Sequence, residues 1–268
     1  MENFNEFLVE SPKAVVLTIH GLGEHIGRYN HVGKWLNENQ IVMVGGDLPG
    51  FGKSTKMKGH LENFNEYLLK VDEWIQYIDK KWPKVPIFLF GHSLGGLIVL
   101  RYIEEIDNNL LKGIILTSPS ISIKLKVPKW QILLAKSLRK IYPTLRLKSG
   151  IKSYQVSRSK EVVEKYGSDP LNYGKVSVGL FCEFQDAIEM VWKKLGRVND
   201  IGIPLLFLQA GDDQLTDPNR ADEFVKEIKQ ELITYINIPE LYHEVFNEPE
   251  NEIYLKIFSD WISEKSIT

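Results

Sequence analysis

Short apolar runs rich in β-branched residues recur along the chain, separated by longer stretches in which apolar positions return every three or four residues. The runs are Ala14–Ile19, Ile41–Val44, Val85–Phe90, Gly113–Thr117, Pro204–Leu208 and Leu232–Ile238. They read as strands buried on both faces, because an exposed face would impose polar alternation. The intervening helical segments are Tyr29–Glu38, Phe64–Lys81, Leu94–Glu105, Asn219–Lys229 and Glu250–Ser263. The second of these carries Tyr67, Leu68, Val71, Trp74, Ile75 and Ile78 as one apolar stripe. Strands alternating with helices predict an α/β protein with a mostly parallel sheet flanked by helices on both faces. One connection breaks the rhythm: about 85 residues separate Ser118 from Pro204. A structureless loop of that length is uncommon, so residues 119–200 are expected to form an inserted, mainly helical cap on a core made of 1–118 and 201–268.

Composition narrows the class. With 43% hydrophobic and 25% charged residues in 268, the chain has enough apolar matter for a large core and too much for disorder. A net charge of −2 gives no general affinity for nucleic acid. The single cysteine, Cys182, excludes an internal disulfide and suits a reducing compartment. No basic residue precedes an apolar run in Met1–Glu10, as a secretory signal would require. The stretch Val85–Leu100 is too short and too rich in glycine to span a bilayer. A cytoplasmic protein is expected. The near-neutral total conceals an asymmetry: Asn108–Lys160 holds twelve Lys or Arg and no acid, so of 33 basic and 35 acidic residues the remainder carries 21 against 35.

Candidate chemistry centres on Gly91-His92-Ser93-Leu94-Gly95, which follows a predicted strand and opens a predicted helix. That context is what a nucleophile elbow needs: a serine on a tight, strained turn, with glycines two residues to either side so that strand and helix can approach. A serine hydroxyl requires a base, usually a histidine held by a carboxylate, and in this arrangement the chain order is serine, acid, histidine. Of the six histidines only His243 follows Ser93. The acid should lie in the loop after Pro204–Leu208, where Asp212 and Asp213 stand on equal terms. Asp217 precedes Pro218 and fits a helix N-cap better. A tetrahedral oxyanion needs two N–H donors; one is expected from Leu94 and the other from Leu22 in the loop His20-Gly21-Leu22-Gly23. That loop is a poor dinucleotide fingerprint, and the scattered histidines lack metal-ligand spacing, so neither cofactor nor metal is expected. His25, His31 and His60 read as loop or helix-start histidines.

Taken together, these pieces resemble the monoacylglycerol lipase and lysophospholipase branch of the serine α/β-hydrolases over nearly the whole length. The matching segments are His20–His25 with Gly27-Arg28-Tyr29, Asp47–Ser54, Gly91–Gly96, Tyr166–Leu171, Gly211-Asp212-Asp213 and Tyr242-His243. The resemblance implies an α/β-hydrolase fold and places the acid on Asp213, the oxyanion donors on Leu22 and Leu94, and polar head-group contacts on Arg28, His92 and Tyr166. Where the family motif beginning at Asp47 carries a basic residue, this chain has Pro49; Asp47 itself is expected to tie its loop to nearby amides.

Within the acid-free block, Pro128–Tyr142 has helical periodicity, with Trp130, Leu133, Leu134, Leu138 and Ile141 on one stripe and Lys129, Lys136 and Lys140 opposite. The stripe either packs on the core or faces lipid. In the second case the cap contacts an anionic membrane peripherally, at its inner face. The expected activity is hydrolysis of a small lipid ester, monoacylglycerol first and lysophospholipid second, by Ser93, His243 and Asp213. The rival readings are a short-chain carboxylesterase or thioesterase, and a binding protein on the same fold. A dehalogenase or epoxide hydrolase would want a carboxylate where Ser93 stands.

Overall fold

The structure is a computed structural model that describes residues 3–106, 109–124 and 127–267, apart from the Lys129 side chain. Its elements run β1 (Phe4–Phe7), β2 (Ala14–Ile19), α1 (Asn30–Glu38), β3 (Ile41–Gly46), α2 (Asn65–Lys81), β4 (Ile87–His92), α3 (Leu94–Glu105), β5 (Leu111–Thr117), α4 (Lys129–Leu138), β6 (Arg146–Lys148), α5 (Lys160–Ser168), β7 (Lys175–Ser177), α6 (Val178–Lys193), α7 (Leu195–Ile201), β8 (Leu205–Ala210), α8 (Pro218–Lys226), β9 (Ile233–Ile238) and α9 (Asn251–Ile267). Seven strands form the main sheet in the order β1-β3-β2-β4-β5-β8-β9. All pairs are parallel except β1 with β3. This is the α/β-hydrolase fold.

The continuous apolar runs are explained by two-sided burial. Alternate residues of the strands divide between two apolar layers: Val15, Leu17, Leu89 and Leu116 face α2, α3 and α8, while Val16, Phe88, Phe90 and Ile115 face α1 and α9. The predicted stripe of α2 is buried as expected. Each of the six predicted strands and five predicted helices is present, with ends shifted by a few residues.

Three features were not anticipated. β1 is a short antiparallel edge strand, half-buried throughout, and β6 pairs with β7 in a separate two-stranded ribbon. The connection between β5 and β8 also places α6 and α7 into the main core: Leu180, Phe184, Ala187, Val191, Leu195 and Val198 join the same apolar cluster as the sheet.

The exposed stripe and the basic block also take a form that the sequence left open. Trp130, Leu133 and Ile141 are 63%, 66% and 68% exposed, so α4 and the turn after it do not bury these side chains. The charge block is partly neutralised in space, because Arg139 pairs with Glu183 and Asp186 on α6, and Arg158 with Glu248 and Glu250. Asn108, Lys126 and the Lys129 side chain belong to that block but lie outside the described residues. Among the described residues no helix is long and apolar enough to cross a membrane.

Candidate active site

Ser93 stands alone between β4 and α3 at φ +53°, ψ −116°. For a residue with a Cβ such a conformation costs on the order of 1–3 kcal/mol and persists only where the surroundings over-determine it. The flanking glycines are required: a Cβ on Gly95 would sit 2.0 Å from the Ile19 carbonyl oxygen, and one on Gly91 2.4 Å from that of Gly95. The loop after β2 passes beside the elbow, since a Cβ on Gly21 would lie 3.2 Å from Ser93 Cβ. Leu22 and Leu94 thus flank Ser93 on two sides, and the Leu94 N–H occupies the first position of α3, where a helix leaves its amides unpaired.

His243 lies in the loop after β9, and its Nδ1–H donates to Asp213 Oδ2 at 2.7 Å. This leaves Nε2 as the acceptor. The geometry separates the two carboxylates that the sequence left equal, for Asp212 is exposed and Asp213 is fully buried. Asp213 Oδ1 accepts from the N–H groups of Leu215 (2.7 Å) and Thr216 (3.1 Å), and Oδ2 also accepts from Thr216 Oγ1 at 2.7 Å. Burial works against the Asp213 charge, but His243 and these donors hold its carboxyl below the usual range. Burial likewise opposes a charged His243, yet the Asp213 carboxylate outweighs it and raises the ring above the ordinary histidine value. Asp217 caps α8, its Oδ1 accepting from Asn219 N–H at 3.1 Å.

No hydrogen bond joins Ser93 Oγ to His243 among the described residues; the hydroxyl is instead 3.1 Å from Ser120 Oγ. Catalytic hydrogen bonds commonly tighten only with substrate bound. His92 lies against His243 with ring centroids 4.7 Å apart and planes tilted by 57°, and its Nδ1–H is shared between the backbone oxygen (3.1 Å) and Oγ1 (3.0 Å) of Thr117. Burial, with the His243 ring beside it, pushes His92 down to about 3, so it stays neutral.

Arg28 is placed differently from a free head-group contact. Its guanidinium lies buried between Glu24 and Glu244, with bonds of 2.6 and 2.7 Å to Glu244, and rests 4.7 Å above the centre of the Tyr166 ring. Glu24 also accepts from Gly21 N–H at 2.5 Å and Tyr29 OH at 2.8 Å. Burial disfavours the Glu24 charge, but Arg28 beside it holds the carboxyl well below the usual range. The sequence reading gave no role to Glu24, within the His20–His25 segment, or to Glu244, the residue after His243. Asp47 ties its loop as expected, accepting from Ile26 N–H at 2.9 Å and Lys53 N–H at 2.7 Å. His25, His31 and His60 are engaged by Asp169, the Phe246 carbonyl and Ser177. Among the described residues no group of three or more His, Cys, Asp or Glu side chains is placed to hold a metal ion.

Two cavities meet at Ser93. One, of about 100 Å³, is mostly apolar, with Leu22, Ile123, Ile151, Val176, Leu180, Phe181 and Phe184 in its wall. The other, of about 20 Å³, has a mixed wall in which Glu24, His92, Tyr166, His243 and Glu244 stand beside Leu22, Ile151, Val156 and Leu215.

A strained serine between two cavities, on an α/β-hydrolase sheet with a buried Asp–His pair beside it, defines the class. The family model described as serine aminopeptidase, S33, matches residues 10–250, and the chain belongs to this family of serine hydrolases. It is 37% identical over 252 residues to the phospholipase YtpA of Bacillus subtilis, covering 92% of this chain and 94% of that one. Human monoglyceride lipase is 29% identical over 265 residues, covering 96% and 85%. The crystal structure of Paleococcus ferrophilus monoacylglycerol lipase superposes with a TM-score of 0.88 at 32% identity, covering 99% of this chain and 100% of that one. These relatives agree with the branch that the sequence motifs resemble.

Proposed function

We propose that the chain hydrolyses single-chain acyl esters through an acyl-enzyme, with monoacylglycerol as its first substrate class and lysophospholipid its second. The observation that carries this reading is the position of Ser93 at the junction of an apolar cavity, suited to an acyl chain, and a smaller one of mixed lining whose wall carries Glu24, Tyr166 and Glu244, suited to the alcohol. The names of the lipase and phospholipase relatives point the same way. Ser93 Oγ attacks the ester carbonyl while His243 Nε2 takes its proton, Asp213 orients and stabilises the ring, and the N–H groups of Leu22 and Leu94 receive the oxyanion. His243 returns the proton to the departing alcohol, and water then releases the fatty acid by the same route.

Residues 119–200 act as a cap, since most of the apolar cavity wall, from Ile123 to Phe184, comes from them. The alcohol pocket ranks the head groups. Its wall carries two carboxylates, Glu24 and Glu244, while Arg28, which pairs with both, is not part of the lining, and His92 is neutral. Carboxylates accept hydrogen bonds from glycerol hydroxyls and repel a phosphodiester. Peptidase chemistry is disfavoured: an aminopeptidase holds a substrate ammonium on the acyl side, and no carboxylate lines that cavity among the described residues.

The test is a chain-length series of monoacylglycerols run beside matched lysophospholipids and p-nitrophenyl esters. Catalytic efficiency should climb from acetyl toward medium and long chains, at about 0.8 kcal/mol per buried methylene until the cavity is filled, with monoacylglycerol ahead of lysophospholipid at equal length. Best efficiency on acetyl and butyryl esters would favour the short-chain esterase, and no turnover of any ester would favour the binding protein.

The exposed Trp130, Leu133, Leu134 and Ile141, with Lys136 and Lys140 nearby, support reversible docking of the cap on an anionic bilayer. The protein should co-sediment with anionic vesicles, far less with neutral ones, and detach as salt rises. Changing Lys129, Lys136 and Lys140 to glutamate should abolish the difference. Equal binding to both vesicle types, or indifference to salt, would refute the electrostatic part of this reading.

A further inference from the structure

The turn that leaves β5 folds back onto the nucleophile elbow and is itself strained. Ser118 has φ +41°, the left-handed region that L residues rarely adopt. The conformation is fixed from several sides. Ser118 N–H donates to the Leu208 carbonyl at 3.0 Å, its Oγ accepts from Ala210 N–H at 3.4 Å, and Ile121 N–H donates to the Pro119 carbonyl at 2.8 Å. Pro119 is pressed against α3, so that a Cβ on Gly96 would meet Pro119 Cβ at 2.7 Å.

The consequence of this turn is the placement of Ser120. Ser93 N–H donates to the Thr117 carbonyl at 3.1 Å, Ser120 N–H donates to the Ser93 carbonyl at 2.9 Å, and the two Oγ atoms lie 3.1 Å apart. Ser120 is buried and sits on the wall of a cavity otherwise lined mainly by apolar groups. Ser93 Oγ is its only side-chain hydrogen-bond partner among the described residues. A buried hydroxyl that merely filled space would be better replaced by a methyl group, because burying a polar group without need costs free energy.

We infer that Ser120 serves the reaction as the hydrogen-bond donor to Ser93 Oγ. The inference rests on the reading of Ser93 as nucleophile. At rest the two hydroxyls hold each other, which keeps Ser93 Oγ turned toward Ser120 and unbonded to His243. When substrate enters, the Ser93 proton passes to His243 Nε2 and the Oγ electron pair forms the bond to the ester carbon. The Ser120 hydroxyl rotates to donate to that oxygen and keeps its own proton throughout. In deacylation His243 takes a proton from the attacking water, whose oxygen bonds the acyl carbon. Ser93 Oγ is then the leaving group, and the same donor stabilises it while the C–O bond breaks and His243 passes it that proton. A hydrogen bond to an oxygen carrying developing charge corresponds to about ten- to a hundred-fold in rate.

The test compares wild type with Ser120→Ala and Ser120→Cys on p-nitrophenyl acetate and on the best long-chain ester, together with the rate of inactivation by a fluorophosphonate. Both variants should lose about ten- to a hundred-fold in kcat/KM, by the same factor on both esters and with little change in KM. Inactivation should slow alongside, while the melting temperature stays close to wild type. Cysteine keeps the bulk but donates weakly, so it should behave like alanine. Either of two results overturns the inference: a loss confined to the long-chain ester, which would make Ser120 only part of the acyl wall, or wild-type rates in the cysteine variant. Failure of the underlying reading shows separately, as a wild-type enzyme that the fluorophosphonate does not label at Ser93.

Discussion

Replacing Ser93 by alanine is expected to lower turnover of every ester by on the order of a million-fold while leaving the fold intact. In the proposed mechanism the hydroxyl is the group that attacks, and among the described residues no other nucleophile lines both cavities. Alanine keeps the Cβ that the elbow already tolerates at φ +53°, so the strain of the turn is unchanged. Among the described residues the only side-chain hydrogen bond given up is the one to Ser120. Circular dichroism and melting temperature should match wild type. Activity within tenfold of wild type would remove Ser93 from the reaction.

Asp213→Asn should cost about 10⁴-fold in kcat, against less than about twofold for the exposed Asp212→Asn, which lies in the range of surface substitutions. The asymmetry follows from what the two side chains touch. Asp213 accepts from His243, Leu215 and Thr216 in a fully buried position. An asparagine there offers the His243 Nδ1 a neutral partner and favours the wrong tautomer. The pH profile carries the same signature. His243 must be neutral to act as base, so kcat/KM should rise with pH through the folded-state value of the ring. That value lies above the ordinary 6.5, because Asp213 favours the imidazolium over the opposing effect of burial. In Asp213→Asn the acid limb should move to lower pH along with the loss of rate. A reversed ranking of the two aspartates, or an acid limb indifferent to Asp213, would contradict the assignment.

How far the sequence carried the structure depended on whether a feature is local. The parallel strands and the stripe of α2 were legible because two-sided burial and helical periodicity are written into consecutive residues. Ser93 was legible because its glycine spacing is a steric necessity: Gly91 and Gly95 have no room for a Cβ. β1, β6 and β7 were not, since strands of four and three residues at partly or fully exposed edges carry no alternation to read. Residue chemistry alone left Asp212 and Asp213 equal and only the resemblance pointed to Asp213; the physical difference between them lies in the turn that buries one and exposes the other. Ser120 and the Arg28–Glu244 pair lie beyond pattern reading, because their partners are distant in sequence, Arg28 meeting Glu244 from 216 positions away, whereas Arg28 and Glu24, four positions apart, were within reach of a local charge-pairing argument. The same holds for charge, since a segment without acids from Asn108 to Lys160 receives Glu183 and Asp186 from α6 against Arg139.

The central claim, an acyl-enzyme on Ser93, is tested most directly by intact-mass spectrometry on enzyme quenched during turnover of a long-chain ester, followed by peptide mapping. One added acyl group per chain is expected, on the peptide that contains Ser93, decaying as the free fatty acid appears and absent from Ser93→Ala. An acyl group on a different residue, or steady hydrolysis with no covalent species in either enzyme, would contradict it.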